Sequence, residues 1–336
     1  MMLSRSPVQR VINIGELVPK SDEFVELPTG VQRVDFSGLP ESTLERLVIK
    51  PRLSRYRAAV EAAWAAKDAA LISHLPAMTA AVSLACRAFH RTPPHLAFSF
   101  NFTELPVGRR RDYFQAALKE VTQFCVFSEF ERKLYSDHFN LDLARIKRIN
   151  WTQHPPRPSD HPAPLARRSY VAAVGGEGRD YATLLKAAKL LPGIPFLIVA
   201  RPHNIAGDLP PNVRFMCNLP LEQTWRIAVD STTMVVPLKS RTTCCGHITL
   251  VGSQLLGLPV VTTESEATRE YTESPSVAQC APGDFTALAG LIEKRHLNWK
   301  ADHEVAQDQV ASCLVRYDRQ QWAALVSDFL KQHSIW

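Results

Sequence analysis

Residues 169–200, SYVAAVGGEGRDYATLLKAAKLLPGIPFLIVA, read as strand, helix and strand in one short span. SYVAAVG (169–175) is an apolar run closed by Gly-Gly, and YATLLKAAKLL (181–191) spaces its apolar residues at helical intervals. PFLIVA (195–200) is a second apolar run, short enough for a buried strand. Parallel strands cannot be joined by a tight hairpin, so a helix between two buried strands marks a parallel sheet. The pattern continues downstream. NVRFMC (212–217) is a third strand, LEQTWRIAVDS (221–231) a helix and TMVVPL (233–238) a fourth strand. ITLVGSQLLG (248–257) is a helix, PVVTTE (259–264) a fifth strand, and DFTALAGLIEKRHLNW begins a run of C-terminal helices. This half is a doubly wound parallel sheet.

Upstream, HPPRPSDHPAPLARR (154–168) holds five prolines and no hydrophobic periodicity, so it reads as a linker or crossing loop. Its His154 and His161 read as solvated loop histidines rather than metal ligands. The first half alternates less regularly. RVINIGEL (10–17) suits a strand, RYRAAVEAAWAAK an alanine-rich helix, DAALISHLP a strand and loop, and AAVSLACRAF a helix. HLAFSFNF (95–102) suits a strand, and RDYFQAALKEV, QFCVFS, EFERKLYSDHF and RIKRIN continue as helix, strand, helix, strand. Residues 20–50 carry no clear pattern. The expected architecture is α/β, with two Rossmann-like domains facing a cleft. A first domain spans 1–153, a linker 154–168 and a second domain 169–312. A C-terminal helix at 313–336 packs back on the first domain, which the apolar ending FLKQHSIW suits.

The chain of 336 residues is 46% hydrophobic and 21% charged, enough for two cores and unlike a disordered or fibrous protein. A net charge of +6 suits phosphate-bearing substrates better than dedicated nucleic-acid binding. The seven cysteines sit mostly in apolar runs without metal-type spacing, which fits a reducing, cytoplasmic setting. No signal peptide is visible, and no window approaches the roughly 18 apolar residues of a membrane span. Peripheral contact at the inner face of a membrane is a further expectation. Arg109-Arg110-Arg111 precede the helix DYFQAALKEVTQF and read first as a solvated helix start, although cations at a helix N-terminus oppose its dipole and suit a membrane surface or an anionic acceptor. No Asp-x-Asp, P-loop, G-x-G-x-x-G, G-x-S-x-G or H-E-x-x-H motif occurs.

Four stretches then bring a family into view. They are GGEGRDYATLLKAAKLLPGIPFLIVA, LPPNVRFMCNLP, VVPLKSRTTCCGHITLVGSQLLGLPVVTTE and APGDFTALA, in that order. Over residues 169–295 the chain resembles the nucleotide-sugar-binding domain of GT-B glycosyltransferases of the group 1 type. KDAALISHLP and FCVFSEFERKLY resemble pieces of the acceptor domain of the same group. Retaining members carry two glutamates eight residues apart. Here those positions are Cys244 and Gly252, and no acidic residue lies between Asp230 and Glu264, so the retaining signature is absent. The resemblance implies a metal-independent glycosyltransferase whose nucleotide-sugar donor is a substrate, with no cofactor. Its acceptor would be a glycan, a lipid-linked sugar or a protein, and no nucleic acid is implied.

A donor diphosphate held without a metal needs helix N-terminal N–H groups, hydroxyls and cations. SRTTCCGHIT supplies these together. Gly246 permits close backbone approach, the N–H groups of His247, Ile248 and Thr249 follow, and Thr249 adds a hydroxyl. Arg241 or His247 would add charge. The plainer alternative is a loop-to-helix connection capped by Thr242, Thr243 or Thr249. The resemblance places Arg179 near the donor phosphates; alone it would read as a solvated loop arginine. Arg201 directly follows PFLIVA, where ligands of parallel sheets gather. Met216 to Leu219 are expected near the nucleobase.

Inverting transfer also needs a general base in the first domain. His74, after the apolar run AALIS, and Glu104, after HLAFSFNF, are the candidates, because both follow strand ends. The alternatives are a buried histidine capping a loop carbonyl for His74, and an N-cap or surface contact before Pro106 for Glu104. In a retaining transfer His74 would merely hold the donor sugar. Two rival functions remain: a catalytically silent GT-B scaffold acting as a partner subunit, and a UDP-sugar 2-epimerase-like enzyme. The acid-free stretch 231–263 speaks against the epimerase.

Overall fold

A computed structural model describes residues 10–16, 27, 30–48, 52–205 and 207–333. The chain forms two units, Met1–Ile149 with Gln320–Trp336, and Asn150–Arg319. Leu17, at the end of the expected first strand, and the last three residues of the FLKQHSIW tail lie outside the described residues.

The first unit is built on β1 (Arg10–Gly15), β2 (Gln32–Ser37), β3 (Ala70–His74), β4 (His95–Phe98), β5 (Gln123–Val126) and β6 (Ile146–Arg148). All pair in parallel, in the order β2-β1-β3-β4-β5-β6. Its helices are α1 (Thr43–Leu47), α2 (Leu53–Ala65), α3 (Pro76–Ala88), α4 (Gly108–Ala117) and α5 (Glu129–Phe139). Alanines 58, 59, 62 and 63 of α2 pack with Met78 and Val82 of α3 against Ile12, Ile14 and Leu71. Small side chains let the two helices lie close over the sheet, and this explains the alanine-rich pattern. Ser128 caps α5 by accepting from the Glu131 amide at 3.1 Å.

The second unit holds β7 (Val171–Val174), β8 (Phe196–Val199), β9 (Val213–Met216), β10 (Met234–Val236), β11 (Val260–Thr263) and β12 (Val277–Cys280). The order is β12-β11-β10-β7-β8-β9, again parallel throughout. Its helices are α6 (Tyr181–Leu190), α7 (Leu221–Asp230), α8 (His247–Leu255), α9 (Phe285–Leu297), α10 (Trp299–Asp308) and α11 (Val310–Arg316). The strand order reverses between β7 and β10, the position where doubly wound sheets open a crevice for ligands. One core is formed by Val171, Ala173, Leu184, Phe196, Ile198, Val235, Val261 and Leu288. Asp180 caps α6, accepting from the Thr183 amide and hydroxyl at 3.0 and 2.6 Å.

The last helix, α12 (Gln320–Gln332), belongs to the first unit. Its Trp322 ring lies 3.7 Å from Phe98. Residues 154–168 run beside α7 in the second unit. Ser159 donates its amide to the Glu222 carbonyl at 2.9 Å, and Arg226 donates to the Ser159 carbonyl at 2.6 Å.

Three elements lie in stretches that carry no visible pattern: β2, α1 and β12. The two strands are sheet edges whose residues, Cys280 apart, are exposed or half-buried, so they lack the apolar runs of central strands. The expected strand at 95–102 is halved. β4 stops at Phe98 because Ser99 turns to φ 52°, and Phe100 and Phe102 enter an aromatic cluster with Phe114, Tyr135 and Phe139.

Candidate functional site

In the second unit the loop leaving β7 is tied to the segment leaving β10. Asp180 donates its amide to the Pro237 carbonyl at 2.8 Å, Lys239 donates to Gly178 at 3.2 Å, and Arg179 bridges Leu238. This lays the Arg179 side chain across the switch point. It is only 7% exposed. Its Nη2 donates to Thr249 Oγ1 at 2.9 Å and Nη1 to the Glu177 carbonyl at 3.1 Å, with Cys245 Sγ 3.9 Å away. Among the described residues the buried Nε has no hydrogen-bond partner.

Two glycines make room for this guanidinium. Gly175 takes φ +112°, and a Cβ there would stand 2.9 Å from Arg179 Nη2. Gly246 takes φ +105°, and its Cβ would stand 3.2 Å from Leu238 Cδ2 and 3.6 Å from Arg179 Nη1. Gly246 is also the N-cap of α8, and as a glycine it has no side chain to cap the helix. A helix start leaves its first N–H groups without intrahelical acceptors and carries partial positive charge. The three expected caps are engaged differently. Thr243 Oγ1 accepts from the Ser240 amide at 3.1 Å, Thr242 meets Ser240 Oγ at 3.3 Å, and Thr249 accepts from Arg179. A glycine-led helix N-terminus beside a buried guanidinium offers the N–H donors and positive charge that an anion takes.

Arg179, Gly246 and Thr249 are therefore brought together, with Ile248 55% exposed on the first turn. His247 turns away. Its Nε2–H donates to the Ala267 carbonyl at 2.9 Å, its ring meets Tyr271 edge-on, and burial lowers its pKa to about 4. It is neutral at pH 7 and adds no charge, contrary to expectation. Arg241 pairs with Glu264 at 2.5 Å, on an exposed edge. Arg201 is exposed and pairs with Glu177 at 2.5 Å; its amide donates to Asn204 Oδ1, while Asn204 Nδ2 donates to the Gly176 carbonyl. Arg201 thus stands over the loop that carries Arg179. Met216 ends β9, and its carbonyl accepts from the Ala200 amide at 3.1 Å.

In the first unit His74 ends β3, beside β1, where that sheet's order also reverses. Its Nε2 lies 2.7 Å from Asn13 Oδ1, and its ring meets Phe98 edge-on at 5.4 Å. Burial, with Arg33 nearby, lowers its pKa to about 4. The expected loop-carbonyl cap is not its partner. Glu104 is exposed in the loop 99–107 between β4 and α4. Arg109 and Arg110 are exposed, whereas Arg111 donates to the His138 carbonyl at 2.8 Å.

Sequence reasoning passed over Gly175, Cys245 and Leu238 around Arg179, and Asn13 beside His74. The Gly-Gly at 175–176 was the one visible signal. A cavity of about 270 Å³ in the first unit, lined by Arg91, His95, Thr122 and His333, opens at the amino ends of β4 and β5. That is the edge opposite to where parallel sheets bind ligands. Among the described residues no three His, Cys, Asp or Glu side chains cluster as a metal site. No described helix is long and apolar enough to cross a membrane.

No protein-family model matches the chain, and no curated protein matches it in sequence. Solved structures do. A sucrose-phosphate synthase of Thermosynechococcus elongatus superposes with a TM-score of 0.67 at 15% identity, over 96% of this chain and 88% of that one. HepE of Anabaena, solved with UDP, gives 0.67 at 11% identity, over 96% of this chain and 100% of that one. A glycosyltransferase of Rickettsia africae gives 0.63 at 12% identity, over 96% and 98%. The chain shares their fold, the GT-B architecture, along almost its whole length.

Proposed function

We propose that this chain is a glycosyltransferase that moves a sugar from a nucleoside-diphosphate donor to an acceptor hydroxyl without a metal ion. One observation carries the reading: the buried Arg179 guanidinium, its Nε unpartnered among the described residues, lies against the glycine-led start of α8 at the strand-order reversal. The fold shared with glycosyltransferases, among them HepE solved with UDP-glucose, supports it.

In this reading the donor diphosphate rests on the first turn of α8, within reach of Thr249 and Arg179, with Arg201 at its edge. The acceptor oxygen attacks the anomeric carbon while the bond from that carbon to the phosphate oxygen breaks. Negative charge then grows on the departing diphosphate. Preorganised N–H groups and a desolvated guanidinium stabilise that charge where it develops, the part a divalent cation would otherwise play. An inverting transfer also requires a base for the acceptor's proton, and Glu104 and His74 stand as its candidates. A histidine with a pKa of about 4 is a weak base at neutral pH, so His74 suits hydrogen-bond acceptance from a hydroxyl better than its deprotonation. The acceptor is a glycan, a lipid-linked sugar or a protein.

The test uses the purified full chain with UDP-, GDP-, ADP- and CMP-sugars in the presence of EDTA. One diphosphate donor should raise the melting temperature and release its nucleoside diphosphate; at a hundredfold excess over Kd the stabilisation is about 2.7 kcal/mol. CMP-sugars, which lack a diphosphate, should do neither. Arg179→Met should lose both effects. Stabilisation without turnover for any acceptor class would instead mark a silent scaffold, and no stabilisation by any donor would refute the site.

A further inference from the structure

We propose that Asn13 and Asp35 are positioning residues that hold the His74 imidazole in its Nε2–H tautomer, leaving Nδ1 as an acceptor for a substrate hydroxyl. The proposal rests on the glycosyl-transfer reading only for the identity of that hydroxyl. The tautomer follows from a chain of donors and acceptors with one consistent direction.

Arg33 Nε donates to Asp35 Oδ1 at 2.8 Å, and Asn13 Nδ2 donates to the same oxygen at 2.7 Å. A carboxylate offers acceptors only, so the Asn13 amide must turn its NH₂ toward Asp35. Its carbonyl oxygen then faces His74. An amide oxygen only accepts, so the ring nitrogen 2.7 Å away, Nε2, must carry the hydrogen. In a neutral imidazole the other nitrogen then keeps its lone pair. Nδ1 makes no hydrogen bond among the described residues.

Strand register makes the arrangement possible. Asn13 pairs with Asp35 on β2 and with Ile72 on β3, so one residue of the central strand reaches both neighbours. Asn13 is buried, whereas Asp35 lies at the surface with a side chain 38% exposed. Phe98, packed on Trp322, holds the ring plane from another side. An acceptor nitrogen fixed in direction is what recognition of a sugar hydroxyl requires, because the hydroxyl must then donate.

Long-range proton–nitrogen correlation spectra of the full chain carrying isotope-labelled histidine report which ring nitrogen is protonated. His74→Gln identifies the resonances. The wild-type protein at neutral pH should show the Nε2–H form alone. Asp35→Asn keeps the oxygen that both donors use and should keep that form; Asp35→Ala removes it, frees the amide to turn, and should populate both tautomers. Asp35 is a surface residue, and a melting curve establishes that the variants fold. In transfer assays Asp35→Ala should raise KM for the sugar substrate about tenfold with kcat less affected, and Asp35→Asn should restore it. An Nδ1–H form in the wild type, or an unchanged tautomer in Asp35→Ala, overturns the proposal. The spectra are recorded without donor, so a chain that transfers no sugar would defeat the proposed activity and leave the tautomer result standing.

Discussion

Gly246 combines two demands on one residue, a backbone at φ +105° and a side chain small enough to leave Leu238 and Arg179 in place. Gly246→Val meets both as penalties. The left-handed backbone costs a residue with a Cβ about 1–2 kcal/mol, and the added branches press on the guanidinium. Urea unfolding should show a loss of that size, while donor titration should show affinity reduced by more than tenfold. Unchanged donor affinity would move the diphosphate elsewhere. The motif around Gly246 is legible because helix starts, glycines and hydroxyls are local signals. The fates of His247 and Arg241 are not. A carbonyl twenty residues ahead at Ala267 claims the first, and Glu264 claims the second. Asn13 was invisible for the same reason, since its partners Asp35 and His74 are neighbours only across strands.

Among the elements, α12 shows how a short amphipathic segment becomes structural. Trp322, Val326, Phe329 and Leu330 form its buried face, and the tryptophan ring lies on Phe98 in the strand beside His74. Trp322→Ala should destabilise the first unit by about 3–5 kcal/mol, the usual cost of deleting a buried large aromatic. Chemical denaturation followed by hydrogen exchange of β3 and β4 peptides checks it. A change under 1 kcal/mol would mean that α12 contributes little to this core. Central strands were legible as apolar runs, and helices as periodic ones. Of the edge strands, β6 and β9 were legible, whereas β2 and β12, whose residues are largely exposed or half-buried, show no apolar run.

For the whole molecule, buried histidines link folding to pH. Burial holds His95 at a pKa of about 3, and His247 and His303 at about 4, with these residues divided between the two units. Above the ordinary value near 6.5 they are neutral whether folded or not. Below it the unfolded chain binds protons that the folded chain refuses, so stability falls with pH until the folded values are reached. Each contributes roughly 1 kcal/mol per pH unit across that window. Urea midpoints should therefore drop between pH 7 and pH 5, and His247→Gln should flatten the drop; equal midpoints at both pH values would count against neutral burial. The sequence by itself determined two parallel α/β sheets and the glycine-led helix start, because runs, periods and turn residues are properties of neighbours in the chain. The tertiary structure alone decided that Arg179 is buried against Thr249, seventy residues away, and that His74 meets Asn13 across a strand boundary. Such pairings depend on sheet order and register, and these are fixed by the packing of distant segments and leave no local mark.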